Sequence, residues 1–345
     1  MRAPILALTL ATTACALAAC GGSDGGGSST PAATSAPATT AAAASTAAAL
    51  PAPPTATDIE GAGAKVVPDL GQPDWLAIAG GATWAAGVGD GVGRLDPTTG
   101  ALTDSVAVPG AVCLAMDVGF DALWVGSCGS EPAILRIDPV KGEVVATIPI
   151  AASDLSPESS IAAGEGAVWV QTADADLVKI DPATNKVVAT TPAPAGTVAL
   201  RTGFGALWAT NVTKGTLQRL DPATATVQAE IPVGDGPRFL AIGEDAVWVL
   251  NQADGSVTRV DPATNTAAAT IDADTGRVDG GDIAAGGGAV WARVSDSLVV
   301  EIDPQTNTAV AAYGPPNGSG SVAADRDALW VSAHDVSSVW RLPLP

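Results

Sequence analysis

Histidine occurs once in the 345 residues, at His334, which excludes any catalytic or metal site that needs a pair of imidazoles. One histidine and four cysteines also exclude most metal cages and zinc fingers. Basic side chains are scarce: 16 Lys and Arg stand against 36 Asp and Glu, a formal net charge of −20. A surface with that balance repels phosphate backbones, so nucleic acid is excluded as a partner. Tyrosine is present once and phenylalanine three times, against nine tryptophans, so tryptophan has a repeated task. Beyond the first 19 residues no stretch approaches the roughly 18 uncharged apolar residues of a membrane-spanning helix.

The apolar run that does exist is N-terminal. Arg2 precedes Ile5 to Ala19, and the run ends in Leu17-Ala18-Ala19-Cys20. This pattern reads as a signal peptide over 1–19. Leu-Ala-Ala-Cys resembles the lipobox of bacterial lipoproteins, and the resemblance implies that Cys20 is acylated and anchors the chain to the outer face of the cytoplasmic membrane. A plain secretory peptide cut near Ala19 is the other reading. Residues 20–57 are almost wholly Gly, Ser, Thr, Ala and Pro after the cysteine, with Asp24 the single charge. Such a segment has nothing to bury and reads as a tether.

From Trp75 onward the chain repeats itself. Gly164-Glu-Gly-Ala-Val-Trp-Val170 and Gly243-Glu-Asp-Ala-Val-Trp-Val249 are clear copies, and Trp84, Trp124, Trp169, Trp208, Trp248, Trp291 and Trp330 recur 39 to 45 residues apart. Each unit holds four short strand-like runs separated by turn residues, and a period near 41 with four strands is one propeller blade. The expected fold over 58–345 is therefore an all-β, monomeric seven-bladed propeller of four antiparallel strands per blade. The last copy stops after its third strand, so residues 65–70 are expected to supply the fourth and close the ring.

The first run carries Ala77, Ala115, Ala162, Ala199, Ala241, Ala284 and Ala323 at matching positions. The Ala lies seven residues before the Trp in five copies and nine before it in the two holding Ala115 and Ala199. The Trp stripe is expected between blades, where burying about 150 to 250 Å² of each indole contributes roughly 4 to 6 kcal/mol before entropy. Asp-Pro, recurring at Asp96, Asp138, Asp181, Asp221, Asp261 and Asp303, is expected to turn strand three into strand four, with Gly100, Gly142, Asn185, Asn265 and Asn307 taking the left-handed position. Arg94, Arg136, Lys179, Arg219, Arg259 and Arg341 lie two residues before the Asp position, on the same strand face, and pairing with the Asp, within the strand or between blades, is expected.

Asp181-Pro-Ala-Thr-Asn-Lys-Val-Val-Ala-Thr190 resembles the YVTN-type propeller repeats of bacterial surface and periplasmic proteins. Gly-Ala-Val-Trp-Val with Arg-Ile-Asp-Pro is similar to the streptogramin (virginiamycin B) lyase superfamily. That likeness implies a metal-dependent elimination at paired histidines, which a chain with His334 alone does not possess.

The candidate chemistry gathers where loops from strand two to three, and from strand four to the next blade, share one rim. Asp90, Asp174, Asp176, Asp254, Asp296 and Asp335 fall there, and could hold Ca²⁺ or Mg²⁺ or a cationic partner; an anionic solvated surface with no cofactor is the plainer reading. His334-Asp335 with nearby serines has the residue types of a hydrolytic triad but lacks a nucleophile elbow. Trp75 and Phe239 align at the mouth end of their strands, placed either to stack a glycan or small-molecule ligand or to pack locally. Cys113 and Cys128 fall on the two arms of one hairpin in an exported domain, so a disulfide is expected. The function expected is that of a binding or interaction module, with a structural envelope role or a lyase-like enzyme as alternatives.

Overall fold

The computed structural model describes residues 50–89, 91–156 and 161–345. The signal peptide, Cys20 and Asp90 lie outside the described residues, as does the tether up to residue 49. Seven sheets follow one another along the chain. Their innermost strands are Leu76–Ala79, Ala111–Gly119, Ile161–Gly164, Thr197–Gly203, Pro237–Gly243, Asp282–Gly286 and Val322–Ala324, which define blades one to seven. Among the described residues the only helical turn is a three-residue 3₁₀ segment, His334–Val336, and no helix is long and apolar enough to cross a membrane.

The ring closes as expected. Lys65–Val67 pairs antiparallel with Ser338–Pro343, placing Val66 opposite Trp340 and completing blade seven from the N-terminal side. A second N-terminal strand was not foreseen: Thr57–Asp58 pairs in parallel with Thr308–Gly314 as a fifth strand of blade six. It delivers Ile59, fully buried, into the apolar cluster between blades six and seven.

The seven repeat tryptophans sit on the second strands and are at most 1% exposed. In five blades the indole N–H donates to the last carbonyl of the blade's own inner strand, as from Trp124 to Gly119 at 3.0 Å and from Trp248 to Gly243 at 3.1 Å. Phenylalanine would bury the same kind of area but leave that carbonyl unpaired, which accounts for tryptophan in a chain poor in other aromatics.

The alignment of the first run needs one correction. The residue opposite Trp124 is Asp117, and the residue opposite Trp208 is Arg201, so the seven-residue spacing holds in all seven blades. The hairpins themselves are not lengthened. The register shifts earlier in the strands, by two residues between Val112 and Met116 in blade two and by one between Thr197 and Leu200 in blade four. Ala115 and Ala199 are thus not equivalents of Ala77; a charged residue takes that place in blades two and four.

The Asp-Pro turns behave as expected, and each Asp accepts N–H bonds from its own turn, as Asp96 does from Thr98 and Thr99 at 2.9 and 2.7 Å. Those turn N–H groups hold the carboxyls below the usual range, led by Thr99 at Asp96, Ala183 at Asp181 and Gln305 at Asp303. The cations two residues upstream find other partners. Six of them lie over the tryptophan of their own blade, 5.2 to 5.9 Å from the ring centroid. From there Arg136 donates to Pro182 O at 2.7 Å, Arg219 to Pro262 O at 2.6 Å and Arg341 to Pro97 O at 2.6 Å, each in the following blade. Among the described residues none of these cations makes an ion pair with the Asp two positions on; the interblade alternative survives as charge acting at a distance, Lys179 on Asp221 and Arg341 on Asp96, beside the carbonyl clasp.

One turn breaks the pattern. Asn185, Asn265 and Asn307 take the left-handed position with φ near 54 to 56°, whereas blade four places Ala225 there at φ 57°. A Cβ in that region costs about 1 to 2 kcal/mol, and asparagine tolerates it better. Ala225→Asn is expected to stabilise the domain by about 1 kcal/mol, read as a higher urea midpoint at unchanged slope. It would also offer Lys179, which now reaches Ala223 O at 2.8 Å, the side-chain acceptor that Asn185 gives Arg136 at 2.9 Å. A midpoint at or below the parent would contradict this account.

Candidate functional site at the mouth and in the shaft

The rim carboxylates are spread over several blades and largely serve as loop staples. Asp174 accepts the backbone N–H and hydroxyl of Ser153 at 2.7 and 2.6 Å, and those bonds hold its carboxyl low. Asp254 accepts from Asp235 N at 2.7 Å and from Ser256 N and Oγ at 3.0 and 2.7 Å. Asp296 accepts the Thr275 hydroxyl and is likewise held low. In each case the two-to-three turn of a blade is tied to the loop that enters the same blade. Asp176 stands apart, half-buried, at the first residue of Asp176–Asp181. Among the described residues, the group whose metal-binding atoms come within 4.8 Å of one another is Cys113, Cys128 and Asp154, and its two cysteines are spent on each other in the expected disulfide, Cα atoms 5.2 Å apart.

At blade seven the mouth is different. His334 opens the 3₁₀ turn, with Nε2 3.0 Å from Asp335 Oδ1 and Nδ1 3.5 Å from Asp74 Oδ2. Gly318 packs against the Asp335 carboxylate, which a Cβ at that position would displace. Behind this cluster lies Arg293, fully buried on the second strand of blade six. Its guanidinium donates to Val294 O at 2.9 Å, Asn317 O at 2.6 Å, Gly318 O and Ser332 O. Burial lowers its pKa to about 10, against the opposing charges of Asp335, Asp74 and Asp282, so it stays protonated at neutral pH. Two depressions adjoin here and share Asp74. One of about 640 Å³ is lined by Gly71, Gln72, Gly87 and His334. The other, of about 280 Å³, runs past Arg238, Gln252 and Asp279 to Trp75 and Phe239.

Trp75 and Phe239 do meet, ring centroids 5.6 Å apart at 54°. They belong to blades one and five, which are not neighbours in the ring, so the contact spans the shaft. Both are at most 4% exposed, so most of each ring surface is covered by protein, with the remainder bordering the depressions on either side. Arg201 of blade four stacks on the Trp75 ring at 5.9 Å.

Below this pair lies a cavity of about 430 Å³ that the sequence reading did not anticipate, holding Asp117, Arg201 and Asp282. Asp117 accepts from Ala163 N at 2.7 Å and Val118 N at 2.9 Å, tying blade two to blade three. Asp282, 3% exposed, accepts from Ser321 Oγ at 2.7 Å and Val322 N at 3.2 Å across the next interface. Enclosure by protein raises the pKa of both carboxyls, and the Arg201 charge opposes that rise in each. Holding the seven-residue spacing to Trp124 and Trp208 constant identifies Asp117 and Arg201 from sequence. Nothing local marks Arg293 as buried.

No protein-family model and no curated protein matches the sequence. Solved structures do match in fold. The chain is similar to the Neurospora crassa Pan2 WD40 domain at 14% identity and TM-score 0.62, covering 79% of this chain and 90% of that one. It is similar to BamB from Moraxella catarrhalis at 16% identity and TM-score 0.53, covering 77% and 81%. A chain of the Mitotic Checkpoint Complex superposes at 12% identity and TM-score 0.68, covering 87% and 99%. At these identities the likeness establishes the seven-bladed propeller and nothing finer.

Proposed function

We propose that the protein is an exported lipoprotein, anchored through Cys20 to the outer face of the cytoplasmic membrane, whose propeller binds a protein, glycan or small polar ligand at its mouth. The observation that carries the reading is the pair of adjoining depressions sharing Asp74, beside His334, Asp335 and buried Arg293. Asp174, Asp254 and Asp296 are tied up in loop staples on their blades; here titratable groups border open volume. The Trp75–Phe239 contact makes the mouth a blind dish, which suits docking more than passage. The occurrence of a similar propeller in the Mitotic Checkpoint Complex supports a partner protein as one class of ligand. Elimination chemistry of the streptogramin lyase kind calls for paired histidines, and His334 has no second.

Native mass spectrometry of the protein purified from its own host tests the proposal. A copurifying species is expected, with its occupancy reduced by His334→Ala and by Asp335→Asn. Protein free of any such species, or occupancy indifferent to both changes, would favour a purely structural envelope role.

A further inference from the structure

The cup beneath Trp75 and Phe239 lies on the opposite side of that contact from the mouth depressions, toward the hairpin turns, and is independent of the reading above. Its wall is otherwise small or apolar, with Ala241, Ala284 and Ala323 among the lining residues. The three charged residues are fixed on the inner strands of blades two, four and six. Their bonding is incomplete. Asp282 Oδ1 is buried with no hydrogen-bond partner among the described residues. Arg201 donates one N–H, from Nη1 to its own Leu200 O at 2.9 Å, and its remaining N–H groups have no acceptor among the described residues. No hydrogen bond links the guanidinium to either carboxylate, although each feels its charge.

A buried carboxylate oxygen left unpaired is expensive, and the half-buried Arg201 guanidinium has N–H groups free to take an acceptor from the cup. The strands hold the two signs apart, so neither satisfies the other. A simple cation entering the cup meets Arg201; a simple anion meets Asp117 and Asp282. A ligand carrying both signs meets a partner for each.

We propose that the cup binds a small zwitterion bearing an ammonium and a carboxylate, that is, a free α-amino acid or a short peptide. The ligand carboxylate takes the idle N–H groups of Arg201, whose ring-stacked plane presents them as a fork. The ammonium pairs with the Asp282 carboxylate, which lines the cup, and Asp117 adds negative potential. A volume of about 430 Å³ accommodates such a molecule, and Trp75 gives it an apolar roof.

The test is isothermal titration of the full-length protein in detergent with each standard α-amino acid, its N-acetyl form, its carboxamide, and calcium chloride alone. At least one free amino acid is expected to bind with a Kd below about 1 mM. Its N-acetyl and carboxamide forms should bind at least about tenfold more weakly, each having lost one charge-assisted contact. Asp282→Asn and Arg201→Gln should each weaken binding about tenfold or more, while Val188→Thr on the exposed outer strand of blade three leaves it unchanged. Should Asp282→Asn fail to fold, Asp117→Asn and Arg201→Lys carry the same comparison. Absence of binding by every amino acid overturns the proposal. So does undiminished binding in both the Asp282 and Arg201 variants, or a calcium signal abolished by Asp282→Asn with no amino-acid signal beside it.

Discussion

Deletion of the chain through Gly71 is expected to abolish the cooperative unfolding transition, whereas deletion of residues 21–50 leaves it intact. The shorter deletion leaves every described strand in place; the longer one removes the clasp. Without Lys65–Val67 the strand Ser338–Pro343 becomes an open edge, with Val66 gone from Trp340 and the Leu70 N–H bond to Ser337 O at 3.0 Å lost. Ile59 leaves the cluster it shares with Trp291, Leu329 and Trp340 between blades six and seven. Each blade packs mainly on its neighbours, so an unsealed ring exposes two faces instead of one edge. Circular dichroism melting reads the outcome, and a long-deletion variant that melts like the parent refutes closure by the N-terminal strand.

Arg293→Met is expected to cost about 3 to 5 kcal/mol in urea denaturation. The thioether fills much of the space but donates nothing, so the carbonyls of Val294, Asn317, Gly318 and Ser332 lose their donor together. The carboxylates of Asp74, Asp282 and Asp335 also lose the buried cation that acts on all three. Arg293→Lys keeps the charge but cannot reach four acceptors from one nitrogen, so an intermediate loss is expected. A cost below about 1 kcal/mol for the Met variant would mean that water replaces the guanidinium and that Arg293 does not organise the mouth.

Blade count, strand order, the Asp-Pro turns and the ring closure were legible from spacing, and the Cys113–Cys128 bond from the two cysteines falling on one hairpin of a domain read as exported. The reason is physical: a repeated Trp at a constant distance from a turn can be satisfied only by repeating one sheet. The same regularity misled where the chain departs from it. Ala115 and Ala199 looked like displaced copies of a small inner residue, and that alignment hid Asp117 and Arg201 behind two register irregularities. For the cations before the Asp positions, spacing left pairing within the strand and between blades equally open; the turn N–H groups occupy the carboxylates, and the cations reach across to the carbonyls of the next blade.

The sequence by itself determined a seven-bladed ring with tryptophan between its blades, because periodic pattern and turn chemistry act within each repeat. Only the tertiary structure decided what faces the axis and what is buried near it. Trp75 meets Phe239 across the shaft, Arg201 stands between carboxylates of other blades, and Arg293 is enclosed by chain from blade seven and the loop before it. Those partners are separated by tens of residues or more, and only closure of the circle brings them within reach.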